Sequence, residues 1–129
     1  MTAIVVTAAV IERDGHFLVT RRQRGVHLEG YWEFPGGKCE AGEDLAACLA
    51  RELREELAVG ARAGEELLAT THAYQDRAIE IHFIRCAITG DPAPQQGQEM
   101  RWVARGDLAA LPFPPADADL IRLLTGDKR

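Results

Sequence analysis

The sequence predicts an α/β fold, a mixed β-sheet with helices packed on it. Three observations carry this expectation. Strand-like and helix-like segments mix without the strict alternation of repeated βαβ units. Ile4–Ile11 is a short apolar run rich in β-branched residues, the mark of a buried strand. Asp44–Leu57 places Leu45, Cys48, Leu49, Leu53 and Leu57 at helical spacing, so one face of a helix is apolar. A chain of 129 residues, 47% of them apolar, suffices for one domain, 1–129, with one core.

The remaining elements follow in order. Asp14-Gly15 is a hairpin signal, and His16–Arg21 reads as the returning strand. Gln23–Gly30 reads as a loop. Tyr31–Phe34 reads as a short strand stopped by Pro35-Gly36-Gly37. After the helix, Glu65–Tyr74 and Ala78–Ile88 read as a second hairpin around Gln75-Asp76-Arg77. Ile79, Ile81 and Phe83 alternate there with Glu80 and His82, the period of a half-buried strand. Gly90–Gln98 is polar and proline-bearing, hence a loop. Met100–Val103 reads as a strand, Asp107–Leu111 as a helical turn, and Pro114–Leu124 as a helix with prolines at its start.

Composition narrows the function classes. The net charge of −5 disfavours a nucleic-acid polymer as partner. An acidic protein acting on a phosphorylated small molecule needs cations between the like charges. The apolar run at the N-terminus is too short to span a bilayer and lacks the features of a signal peptide, so a cytoplasmic location without membrane contact is expected. Cys39, Cys48 and Cys86 form no CxxC pair. They are expected to be buried thiols, not a disulfide framework or a zinc site.

The helix Asp44–Leu57 carries the chemistry. Glu52 lies one turn from Glu55 and Glu56, and Glu43 stands just before the helix. Clustered carboxylates repel one another on a bare helix but suit a hard divalent cation such as Mg²⁺ or Mn²⁺. Arg51 and Arg54 leave a second reading open, a solvated face laced with ion pairs. Gly36-Gly37-Lys38 leads toward this helix, and consecutive glycines allow a ligand to approach the backbone closely.

Gly37, five residues, Glu43, seven residues and then Arg51-Glu52-Leu53-Arg54-Glu55-Glu56-Leu57-Ala58-Val59 resembles the Nudix box. One constrained position departs: Ala58 stands where the box has glycine. Gly60, two residues on, is expected to take over the left-handed helix stop. Thr20-Arg21-Arg22, Trp32–Lys38 and Phe113-Pro114-Pro115-Ala116-Asp117 extend the likeness, over nearly the whole chain, to the MutT branch. That branch hydrolyses nucleoside triphosphates, oxidised guanine nucleotides such as 8-oxo-dGTP among them, to the monophosphate and pyrophosphate. The branch of cytidine-triphosphate pyrophosphohydrolases resembles the chain nearly as well.

The resemblance implies an α/β/α sandwich with a loop-helix-loop catalytic motif. It implies magnesium, with manganese as a substitute, on Gly37, Glu52, Glu55 and Glu56. Arg51 would orient Glu52, and Glu43 would fix the loop. Gln96 falls where a catalytic glutamate often stands, and an amide is no base. Glu99 is the alternative, as are Glu52 and Glu55 in a double role; a solvated strand edge is the plainer reading of Glu99. By the same likeness Arg22, His27, Phe34, Arg77 and Asp117 contact the nucleotide. Plainer readings remain for each: surface ion pairs for the arginines, a loop histidine, core packing for Phe34, a helix cap for Asp117. The protein that gives the MutT branch its name carries asparagine at the last position. Aspartate occurs in cytidine-type and broader oxidised-purine relatives, which leaves the base open. A monomer or weak homodimer is expected. Competing readings are a Nudix enzyme for dinucleotides or sugar nucleotides, and an inactive nucleotide-binding module; intact box glutamates speak against the latter.

Overall fold

The computed structural model describes residues 3–74 and 77–126. Eight strands and two α-helices occur among them: β1 (Ala3–Val10), β2 (Glu12–Arg13), β3 (His16–Arg21), β4 (Trp32–Glu33), β5 (Gly36–Lys38), α1 (Leu45–Leu57), β6 (Gly60–Tyr74), β7 (Arg77–Thr89), β8 (Met100–Ala104) and α2 (Ala118–Leu124). Short 3₁₀ turns cover Arg105–Ala110 and Pro115–Asp117.

One sheet has the order β5-β1-β7-β6; the other runs β2-β3-β4, with β8 on the free side of β3. β1 and β7 pair in parallel while β5–β1 and β6–β7 are antiparallel, so the sheet is mixed as expected. The two-residue period of β1 divides the core. Ala9 and Ile11 join Leu18, Ile84 and the Leu49, Leu53 and Leu57 stripe of α1. Ala8 and Val10 join Phe17, Phe34 and Phe83 with Leu120, Ile121 and Leu124 of α2. Helices therefore cover both faces, and the sandwich is of the α/β/α kind.

The Asp44 carboxylate starts α1 by accepting from the Ala47 N–H at 2.8 Å. Ala58 ends it in the left-handed region, φ 58° and ψ 39°, its N–H donating to the Arg54 carbonyl at 3.1 Å. The stop is thus Ala58 itself and not Gly60, because Val59 turns straight into the core and Gly60 already opens β6.

Three further expectations need correction. The segment Gly36–Lys38 is not a plain loop but an edge strand, pairing Gly36 and Gly37 with Ala8 and Thr7. The approach is so close that a Cβ on Gly36 would strike the Thr7 carbonyl. β6 begins at Gly60, because register shifts between Ala63 and Leu68 break the alternation that marks a strand. Cys39 and Cys48 are joined as a disulfide, their Cα atoms 5.2 Å apart; Cys86 alone is the buried free thiol that was expected. The Gln75-Asp76 turn lies outside the described residues. Among those residues no helix is long and apolar enough to cross a membrane.

Candidate active site

α1 and β5 bring the predicted carboxylates and the glycine turn together. Glu52 lies against Gly37 so tightly that a Cβ there would fall on its carboxylate. A side chain at this position would push the Glu52 carboxylate aside. The Gly36 backbone N–H and the Glu52 side chain both hydrogen-bond the Glu56 carboxyl. Glu55 is more exposed, on the outer side of the cluster.

Arg51 binds the cluster to the loop. Its guanidinium donates to Glu43 at 2.7 and 3.0 Å, to Glu52 at 2.9 Å, to Glu55 at 3.4 Å and to the Lys38 carbonyl at 3.0 Å. Glu43 also accepts from the Glu40 N–H at 2.9 Å, and these bonds hold its carboxyl down at about 2. These are the contacts through which Arg51 would orient Glu52 and Glu43 would fix the loop.

Negative charge exceeds what the arginines offset. Burial, then the charges of Glu52 and Glu33, push the Glu56 carboxyl up to about 8. Like charges this close disfavour the ionised form of Glu56 unless a cation offsets them. A set of hard oxygen donors under this strain fits a divalent cation. The Gly37 carbonyl, Glu52, Glu55 and Glu56 are the groups that would hold it.

A cleft of about 400 Å³ is lined by Gly37, Glu56, Glu33, Arg22, His27, Phe34 and Asp117. The volume suits a small-molecule ligand. Phe34 is buried, stacked on Phe113 at 5.3 Å and edge-on to Phe83 at 6.4 Å, so it both packs the core and floors the cleft. Asp117 is only 6% exposed and makes no helix-cap bond, which removes the capping reading. Burial, then the charge of Glu33, raises its carboxyl to about 7.

Two predicted residues stand elsewhere. Glu99 is exposed and ion-paired with Arg21 and Arg101, each at 3.3 Å, and it does not line the cleft. The side chain that reaches the helix from this segment is Gln98, whose amide donates to the Glu56 backbone carbonyl at 3.3 Å. In the segment just before β8, Gln98 is buried and Glu99, next to it, is exposed. Arg77 is exposed at the start of β7 and does not line the cleft.

Glu33 was missed. It lines the cleft, takes a 2.9 Å bond from Arg22, and its carboxyl is raised by burial against the pull of Arg22. A signal existed: a lone glutamate between Trp32 and Phe34, both buried, must face the other way from its strand.

Residues 6–123 match the NUDIX domain family. The chain belongs to the Nudix family. This Nudix chain is 36% identical over 126 residues to an 8-oxo-dGTP diphosphatase of Haemophilus influenzae, covering 96% of this chain and 93% of that one. It is 35% identical over 122 residues to a CTP pyrophosphohydrolase of Escherichia coli, covering 94% and 90%. Its fold superposes with a TM-score of 0.74 on a MutT structure from a study of the Aliivibrio salmonicida and Vibrio cholerae enzymes, at 28% identity, covering 98% of this chain and all of that one. Its relatives are enzymes of phosphoric anhydrides, and so is this Nudix hydrolase; the family generally uses divalent metal ions.

Proposed function

We propose that this Nudix hydrolase cleaves (deoxy)nucleoside triphosphates, oxidised ones such as 8-oxo-dGTP included, to the monophosphate and pyrophosphate, with Mg²⁺ as cofactor and Mn²⁺ as a substitute. The observation that carries this reading is one cleft lined by Glu56 and Gly36-Gly37 and also by Phe34 and buried Asp117. A polyphosphate suits the first group of residues and a flat base the second. The names of the relatives point the same way.

The division of labour follows from the contacts. The metal, held by Gly37, Glu52, Glu55 and Glu56, would offset polyphosphate charge and make bound water more acidic. Arg51 holds the Glu52 carboxylate against Gly37. Glu52 takes the proton of the attacking water, since Glu99 is held on Arg21 and Arg101. The water oxygen bonds to the inner, β phosphorus; the bond from that phosphorus to the α-bridging oxygen breaks, and the monophosphate leaves. Arg22 steadies Glu33, and Phe34 packs against the base. The substrate is a free nucleotide, not a polymer, and the protein works in the cytoplasm as a monomer or weak homodimer.

One observation favours a second reading, cytidine triphosphate as substrate. Asp117 when ionised only accepts hydrogen bonds, and the cytosine amino group donates. A panel of nucleoside triphosphates with Mg²⁺, resolving pyrophosphate from orthophosphate, tests both. Pyrophosphate release fastest with oxidised dGTP supports the first reading, and fastest with CTP or dCTP the second. Orthophosphate release, or turnover of dinucleotides alone, contradicts both.

A further inference from the structure

Cys39 directly follows β5, its N–H donating to the Val5 carbonyl at 2.9 Å. Cys48 is fully buried on α1. Their Cα separation of 5.2 Å lies within the range a disulfide bridges without moving the backbone. The chain between them holds Asp44, the helix cap, and Glu43, the grip on Arg51. Ligand atoms of Cys39, Glu43 and Cys48 all lie within 4.8 Å of one another, so the sulfur pair sits beside the ion pair that aims Glu52. The Cys48 sulfur is also 3.7 Å from the Gly37 carbonyl oxygen and 3.4 Å from the Thr7 hydroxyl. A thiol can donate to that carbonyl; a disulfide sulfur has no hydrogen to give. The oxidised and reduced chains therefore differ at the glycine turn as well as in the freedom of residues 39–48.

We propose that Cys39 and Cys48 are a reversible oxidation site, a thiol–disulfide pair whose closure fastens the glycine turn to the helix that carries Glu52 and Glu56. The oxidant is a hydroperoxide. One thiol sulfur attacks a peroxide oxygen and becomes a sulfenic acid, releasing water from hydrogen peroxide or an alcohol from an organic hydroperoxide. The second sulfur displaces that hydroxyl, which departs as water, and the S–S bond forms. A small dithiol reverses the step by exchange and is itself oxidised to its disulfide. Cys39 is partly exposed and reachable, whereas Cys86 is buried with its thiol pushed up to about 11 by that burial.

The test uses the full metal-free chain, reduced with a dithiol, desalted and exposed to hydrogen peroxide. Thiols titrated in denaturant fall from three to one. Lys38 and Arg51 bound one tryptic peptide holding both cysteines, and it becomes lighter by about 2 Da. Closing so short a loop raises Tm by roughly 5–15 °C, and dithiol reverses the rise. Cys39→Ser, at the partly exposed position, folds but shows no rise; Cys48→Ala is the second control. Three thiols persisting, a bridge to Cys86 or between chains, or an intact bridge without any change in Tm overturns the proposal.

Discussion

The Arg51 guanidinium holds the Glu43 carboxylate with two nitrogens, Nε on Oε2 at 2.7 Å and Nη2 on Oε1 at 3.0 Å, while Nη1 reaches Glu52 at 2.9 Å. One planar cation thus ties the loop to the Glu52 carboxylate. A lysine is a point charge and cannot serve both partners in this geometry. Arg51→Lys is expected to lower kcat about 10–100-fold, as loss of a partner behind a metal ligand does. Steady-state kinetics beside a melting curve checks this; an unchanged rate would mean that Glu52 needs no guide.

Ala58 sits at φ 58°, where a Cβ is strained. Ala58→Gly removes about 1 kcal/mol of strain, less the greater entropy of glycine in the unfolded chain. The net expectation is a Tm higher by roughly 1–4 °C. Calorimetry decides, and a lower Tm would show that the helix stop tolerates alanine without strain.

Stability of the metal-free chain should fall with rising pH. Glu56 and Asp117 titrate at about 8 and about 7 in the folded chain, above the ordinary carboxylate range they keep when unfolded. The folded chain therefore binds more protons than the unfolded one from that range up to about pH 8, and stability is lost across the window as pH rises. Above it Tm levels off, and added Mg²⁺ restores part of the loss by replacing protons. Glu56→Gln should flatten the curve. Melting in chelator from pH 5 to 9 tests this, and a Tm that climbs through the window would contradict the assignment.

Most of the fold was legible because its signals are local and periodic. The α1 stripe, the Asp14-Gly15 turn and the alternation in β7 each depend on neighbouring residues. The miscast parts depend on partners distant in sequence. Gly36–Lys38 is a strand only because β1 lies alongside. Cys39 and Cys48 meet only because the loop folds back on α1. The carboxylate cluster was visible in its spacing. Glu33, Gln98 and the displaced Glu99 turn on which face of a short strand or loop looks inward, and that is set by packing.

Asp117→Asn should shift base preference and leave the metal requirement alone. The carboxyl titrates at about 7, so near neutral pH it presents both an acceptor and a donor form. Asparagine offers both at every pH and has no charge to desolvate. A gained or lost buried hydrogen bond is worth about 1–3 kcal/mol, so ratios of kcat/KM among oxidised dGTP, dGTP and dCTP should move by roughly tenfold. The pH dependence of those ratios near 7 should vanish in the variant. Equal changes for all three nucleotides would place base selection elsewhere.

The central claim is that the carboxylates on α1 serve a metal-dependent hydrolysis in the cleft beside them. The measurement is pyrophosphate release from oxidised dGTP, with Mg²⁺ and with chelator, by the wild-type chain, Glu52→Gln and Glu56→Gln, each shown to be folded by its melting curve. Loss of a metal-ligand charge should cost several kcal/mol of transition-state stabilisation, so both variants are expected to turn over roughly a hundredfold more slowly or worse, and chelator should silence the wild type. Near-normal turnover by both variants, or by the wild type in chelator, would contradict the account.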